Sequence, residues 1–143
     1  MIREFRETDA DAIIEIWFAA SKVATPFLSA EFLAAEREQI RTVWLRKAGS
    51  WVYEIADVVV GFISLIGNEV GAIFVHPNYQ GRGIGRALMD HAVDLRGSLF
   101  LDVFRENVMG RRFYDRYGFR LAHEHIHEDT DHVQMRMIFS PDR

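Results

Sequence analysis

One stretch restricts the fold more than any other: Val75-His76-Pro77-Asn78-Tyr79-Gln80-Gly81-Arg82-Gly83-Ile84-Gly85-Arg86-Ala87-Leu88-Met89. The apolar run Gly71 to Val75 leads into it and reads as a strand. Pro77 ends that strand's ladder because it has no N–H to donate. From about Gly83 the apolar residues Ile84, Leu88, Ala92 and Leu95 recur at helical spacing, so a helix begins there. A further buried strand over Leu99 to Val103 then completes a right-handed crossover between parallel strands. The loop inside this unit has the chemistry of an anion cradle. The first turn of a helix carries unpaired N–H groups and the positive end of the dipole. Gly81, Gly83 and Gly85 lack a Cβ, so a bulky anion can approach the backbone. Arg82 and Arg86 add forked cationic donors suited to phosphate.

Two common phosphate loops do not fit. A P-loop needs Gly-Lys followed by Ser or Thr, and no Lys occurs in this stretch. The dinucleotide pattern G-x-G-x-x-G puts Arg86 at its third glycine when started at Gly81, and Leu88 when started at Gly83. What the residues present is Gln-Gly-x-Gly-x-Gly-Arg-Ala after Val-x-Pro-x-Tyr. This string resembles the pyrophosphate loop of the GCN5-related N-acetyltransferases, which bind acetyl-CoA. A second block, Asn107-Val108-Met109-Gly110-Arg111-Arg112-Phe113-Tyr114-Asp115-Arg116-Tyr117-Gly118-Phe119, resembles that family's Asn-x-x-Ala-x-x-Phe-Tyr-x-x-x-Gly-Phe, with Gly110 where Ala is usual. The subgroup most similar is the small stand-alone bacterial acetyltransferases.

The remaining elements agree with that resemblance. A short strand over Ile2 to Arg6 precedes a helix beginning at Thr8-Asp9-Ala10-Asp11, with Ala10, Ile13, Ile14 and Trp17 on one face, ending near Ser21. The connector Thr25-Pro26-Phe27-Leu28-Ser29 leads to a second helix capped by Ser29. That helix runs to about Lys47, with Phe32, Leu33, Ile40, Val43 and Trp44 inward and Gly49 as its stop. Strands over Trp51–Ile55, Val58–Ile66 and Glu69–Val75 form an antiparallel meander. A helix over Val108 to Tyr117 and a closing hairpin, Phe119 to His127 and His132 to Phe139, complete the chain. The order β-α-α-β-β-β-α-β-α-β-β is that of the acetyltransferase fold. The resemblance therefore implies an α/β (α+β) single domain over residues 1–143, with a mixed, mostly antiparallel sheet whose parallel central strands splay apart.

Composition sets outer bounds. A chain of 143 residues with 49% hydrophobic residues can build one real core. The net charge of −4 argues against nucleic acid as a main partner and leans towards a cationic or amine acceptor. The absence of cysteine excludes disulfides and thiolate metal sites. No apolar run approaches the roughly 18–20 residues of a membrane span, and acidic and basic residues interrupt the N-terminus where a signal peptide would be apolar. The expectation is a cytoplasmic protein without a membrane partner, monomeric or homodimeric.

The resemblance implies acetyl-CoA as co-substrate, held by Phe74, Val75, Gln80, Gly81, Arg82, Gly83, Ile84, Gly85, Arg86, Asn107, Gly110 and Phe113. It also implies that the N–H of Val75 polarises the thioester carbonyl and that Asn107 bonds the pantetheine amides. The leaving thiol has a pKa of about 8.5, so a positioned phenol can protonate it, and Tyr114 is the candidate acid. A buried core aromatic is the other reading of Tyr114. An acceptor amine with a pKa of about 10.4 needs a base, and Glu69, eleven residues before Gln80, matches the catalytic Glu of histone-acetylating members. A solvated Glu at a strand start, with a water chain as base, is the alternative. His123, His125 and His127 alternate, facing His132 across the hairpin. They are read as a polar strand face or the acceptor wall, with no metal. Trp17, Phe27, Leu28 and Tyr79 are candidates for an apolar acceptor wall. The resulting expectation is direct transfer of an acetyl group to an amine of a small molecule or peptide. Rival readings are an acyl-CoA-binding sensor with little catalysis and a nucleotide-binding regulator.

Overall fold

A computed structural model describes residues 1–141, except the side chains of Val43 and Trp44, so the inward placement expected of those two lies outside the described residues. Seven strands form one sheet in the order β1-β2-β3-β4-β5-β7-β6. They are β1 (Ile2–Glu4), β2 (Gly49–Ile55), β3 (Val58–Ile66), β4 (Glu69–Val75), β5 (Leu99–Phe104), β6 (Arg120–Ile126) and β7 (Val133–Phe139). All neighbours are antiparallel except β4 and β5. Gly49 opens β2 where the sequence suggested a helix stop.

β3 is a near-continuous apolar run because both of its faces are covered. Phe62 points to one side and Ile63 to the other, and neither retains measurable exposure. On one face Phe62, Val52 and Leu45 pack with Ile13, Ile16 and Trp17 of α1 (Ala10–Ala24). On the other, Ile63 and Leu65 pack with Ile84, Leu88, Met89 and Ala92 of α4 (Ile84–Arg96). Leu95, expected on that inward stripe, is 43% exposed, and Met89 and Val93 face inward instead. Burying a side chain of Leu or Ile size is worth about 1.5–3 kcal/mol, so these two layers supply most of the drive to fold.

α1 is anchored at its start by charge. Asp9 accepts from the Arg6 N–H at 2.8 Å, and the Arg3 guanidinium forks onto both Asp9 oxygens at 2.8 and 2.9 Å. That pairing holds the Asp9 carboxyl below its ordinary range. The first turn is a short 3-10 segment, Glu7–Asp9, and Thr8 is not its cap. Ser29 does cap α2 (Ala30–Gln39), accepting from the Phe32 N–H at 3.0 Å. α2 continues through a π turn at Ile40–Trp44 into a last turn, α3 (Leu45–Lys47). None of the α2 residues is buried in the core, unlike those of α1. The fifth helix, α5 (Val108–Tyr117), is stopped by Gly118 at a φ of 120°. No helix among the described residues is long and apolar enough to cross a membrane.

Candidate active site

β4 and β5 register at a single pair, Glu69 with Phe100. Beyond it, towards Val75 and Phe104, the two parallel strands diverge. A gap in a sheet leaves backbone N–H and C=O groups without ladder partners, which a polar ligand can take up. A cavity of about 700 Å³ occupies this gap and extends to α1, α2, α4 and α5.

The glycine loop forms one wall. His76 Nδ1 accepts from the Asn78 N–H at 3.1 Å, and Pro77 opens the 3-10 turn Pro77–Tyr79. Gln80 then turns back, its Nε2 donating to the Val75 carbonyl at 3.0 Å. Gly81 and Gly83 adopt φ of 80° and 83°, a left-handed conformation costly for L side chains. A Cβ built on either would meet nothing within 4 Å, so the space over them is open. Gly85 differs. Its Cβ would lie 3.3 Å from the Phe113 ring, so its smallness serves the packing of α5 against α4. Gln80, Gly81, Gly83, Ile84, Gly85 and Arg86 all line the cavity, as do Phe74 and Val75. Arg82 does not. Its guanidinium lies 5.0 Å above the Tyr79 ring. Arg86 lies 5.8 Å over the Tyr117 ring, and Tyr117 donates to Asp90 at 2.6 Å.

α5 supplies the facing wall, with Asn107, Gly110, Phe113 and Tyr114 on the cavity. Asn107 is also the helix cap, its Oδ1 accepting from the Gly110 N–H at 2.9 Å. Its amide leans so close that a Cβ at Gly110 would sit 2.7 Å from Nδ2, which accounts for glycine here. Tyr114 packs against Phe113 and Phe119 and opens on the cavity. Burial raises its phenol to about 12, so it holds its proton at neutral pH.

Glu69 does not itself line the cavity, whose β4 lining begins at the next residue, Val70. It stands at the opposite end of β4 from Val75, about 20 Å away at the usual strand rise. Its pairing with Phe100 needs the strands together, whereas the cavity needs them apart. The carboxylates that do line the cavity are Glu36 and Asp102. Asp102 is held by the fork of Arg136, with both N···O distances 2.9 Å. Burial raises the Glu36 carboxyl, Asp129 adds to the rise and His127 opposes it. The sequence signal for Glu36 was only its position four residues after Phe32, on the same helix face.

The rings of His123 and His125 stand 5.6 Å apart on one face of β6, while His127 and His132 take other partners. His123 is exposed, beside a register shift that follows Leu121. His125 Nε2 meets Gln134 Oε1 at 3.1 Å, His127 Nδ1 meets Thr130 Oγ1 at 3.0 Å, and His132 Nδ1 meets Glu106 Oε1 at 2.6 Å. Among the described residues no group of three or more His, Asp or Glu is placed to share a metal ion. Trp17, Leu28 and Tyr79 line the cavity, while Phe27 packs on Phe104 and His132 behind it.

Residues 46–121 match the acetyltransferase (GNAT) domain, which spans the glycine loop and the Asn107–Phe119 block together. The chain belongs to the GNAT family. It is 33% identical over 123 residues to the peptidyl-lysine N-acetyltransferase YiaC of Escherichia coli, covering 85% of this chain and 84% of that protein. The solution structure of apo YjaB from Escherichia coli superposes with a TM-score of 0.87 at 27% identity, over 97% of this chain and 96% of that one. At 20% identity, the PaiA N-acetyltransferase of Thermoplasma acidophilum, solved with coenzyme A, shares the fold at a TM-score of 0.78, over 97% of this chain and 98% of that one. This GNAT protein is thus an acetyl-CoA-dependent N-acetyltransferase with the family's mixed, splayed sheet.

Proposed function

We propose that this single GNAT domain transfers the acetyl group of acetyl-CoA directly to the side-chain amine of a lysine in a peptide or protein. The observation that carries the reading is the continuity of one cavity from the glycine loop, past the β4–β5 gap and Tyr114, to α2. The relatives named peptidyl-lysine N-acetyltransferases support the choice of amine. In this reading Gly81, Gly83 and the first N–H groups of α4 receive the pyrophosphate, with Arg86 adding charge. The pantetheine arm follows the free edge of β4 from Phe74 to Val75, and an N–H there polarises the thioester carbonyl. Tyr114 gives its proton to the departing sulfur.

A ping-pong route through an acyl-enzyme would call for a nucleophile, and the chain has no cysteine, the usual acceptor of a thioester acyl group. Both substrates then bind together. Initial rates measured against acetyl-CoA and a lysine-peptide panel should give intersecting lines, with mass spectrometry placing the acetyl group on lysine. Parallel lines would overturn direct transfer. Turnover confined to small free amines would overturn the peptide acceptor.

A further inference from the structure

The α2 side of the cavity is a wall that neither the glycine loop nor Tyr114 uses. It is built from segments far apart in sequence. Phe32 and Glu36 come from α2, Phe104 from the end of β5, and all three line the cavity. Behind them stands an aromatic collar. Phe32 meets the His127 ring edge-on at 5.7 Å, Phe104 meets His127 at 5.4 Å, and Phe27 packs on Phe104 at 5.8 Å. Among the described residues no hydrogen bond or ion pair engages the Glu36 carboxylate, whereas the other cavity carboxylate, Asp102, is neutralised by Arg136. A half-buried carboxylate left unpaired beside aromatic rings is poorly solvated and gains from a cation brought to it.

We propose that Glu36 on this wall is first the counter-ion of a primary ammonium carried on an aliphatic stem and then its proton acceptor. The proposal rests on the amine-acceptor reading above. Leu28 and Leu33 of the same wall give the stem an apolar path, and the faces of Phe32 and Phe104 suit the cationic head. The proton balance then closes. The ammonium passes one proton to Glu36, and the freed lone pair attacks the thioester carbonyl carbon, forming C–N as the carbonyl electrons move to oxygen. Collapse of that oxyanion breaks C–S. The sulfur takes the bond pair and the Tyr114 proton, one of the two protons left on nitrogen restores the phenol while the other stays as the amide N–H, and Glu36 releases its proton to water.

The charged groups facing Glu36 across the cavity mouth are His127 and Asp129 of the β6–β7 turn, and Asp102 on β5 is already paired. Burial of Glu36 places its titration above the usual carboxylate range, so the acidic limb of kcat/KM for the amine should lie higher than an ordinary glutamate would give. The sign for stability is opposite. A carboxyl raised in the folded state stabilises the fold when protonated at low pH and loses that contribution as pH rises through its folded value. Glu36→Gln should therefore leave the melting temperature at neutral pH equal or higher.

The test measures kcat/KM for a lysine peptide against pH in wild type, Glu36→Gln and Glu36→Asp, with acetyl-CoA affinity by calorimetry. Expected are a loss of about 10²-fold or more for Glu36→Gln at neutral pH, a flattened acidic limb, unchanged acetyl-CoA affinity, and partial rescue by Glu36→Asp. A Glu36→Gln enzyme within twofold of wild type overturns the proposal. So does a loss equal at every pH with the acidic limb in place, which marks a structural role. Wild-type turnover on free primary amines but not on peptides removes the peptide reading alone, and the same ratios are then read on those amines. Wild type inactive on every primary amine removes both.

Discussion

The two walls of the cavity are made differently. The coenzyme wall is made of backbone: two glycines at φ near 80°, the first turn of α4 and the unpaired edge of β4. The acceptor wall is made of side chains, gathered from the α1–α2 connector, α2, β5 and the β6–β7 turn. A backbone site demands particular residues at fixed spacing, because only glycine tolerates both the torsion and the close approach. A side-chain site demands only that some residue of suitable chemistry arrive, from any segment. The first constrains the sequence locally and can be read as a motif. The second leaves each contributor free and can be read only once the chain is folded.

Tyr114 sits where the walls meet, and its removal should have the largest effect. Tyr114→Phe keeps the ring against Phe113 and Phe119 and deletes the hydroxyl. General acid catalysis contributes about 10²–10⁴-fold, so kcat should fall within that range while KM for acetyl-CoA changes little. A lowered melting temperature with a wild-type kcat would make Tyr114 a core aromatic and leave water as the acid.

Gly83→Val isolates the coenzyme wall. A residue at φ 83° in left-handed backbone costs about 1–2 kcal/mol, which a fold of about 5–15 kcal/mol survives. The new side chain fills the open space above the loop. Calorimetry with coenzyme A should show affinity at least tenfold weaker, about 1.4 kcal/mol or more, in a protein that still melts cooperatively. Retained affinity in a folded variant would move the pyrophosphate elsewhere. Gly85→Val is the poorer probe, because its side chain strikes Phe113 and disturbs the α4–α5 contact as well.

The same distinction explains how much could be read beforehand. The order of strands and helices, the α4 start at Gly83 and the α5 span were legible, because each is signalled by local period and by glycine or proline at its ends. The apolar face of α2 was legible too, but a periodic stripe does not say whether it meets a core or a cleft. Phe32 and Leu33 meet the cleft. Glu69 raises a related question, since it stops one residue short of the cavity lining, which begins on β4 at Val70. Counting residues from Gln80 fixes its register on β4, whereas the position of the gap depends on where β5 leaves the ladder. His123 and His125 keep their alternation beyond the bulge after Leu121, with rings 5.6 Å apart, whereas β6 ends at Ile126 and His127 turns against Phe32 and Phe104.

Asn107 tests whether the two kinds of wall can share one residue, and its effect should be the smallest. Its Oδ1 is committed to the Gly110 N–H as a helix cap, a backbone duty. Its Nδ2 lies over Gly110 on the cavity side, where the pantetheine amides would pass. Asn107→Ser separates the two roles. Serine caps about as well as asparagine, so stability should hold within about 0.5 kcal/mol. The amide donor, however, is lost. A neutral hydrogen bond is worth about 0.5–1.5 kcal/mol, so KM for acetyl-CoA should rise a few-fold, to about tenfold at most, with kcat nearly unchanged. That pattern, binding lost without stability lost, would show a side chain serving the coenzyme from within the backbone-built wall. Unchanged KM together with unchanged melting would confine Asn107 to capping and leave the coenzyme wall wholly a matter of backbone.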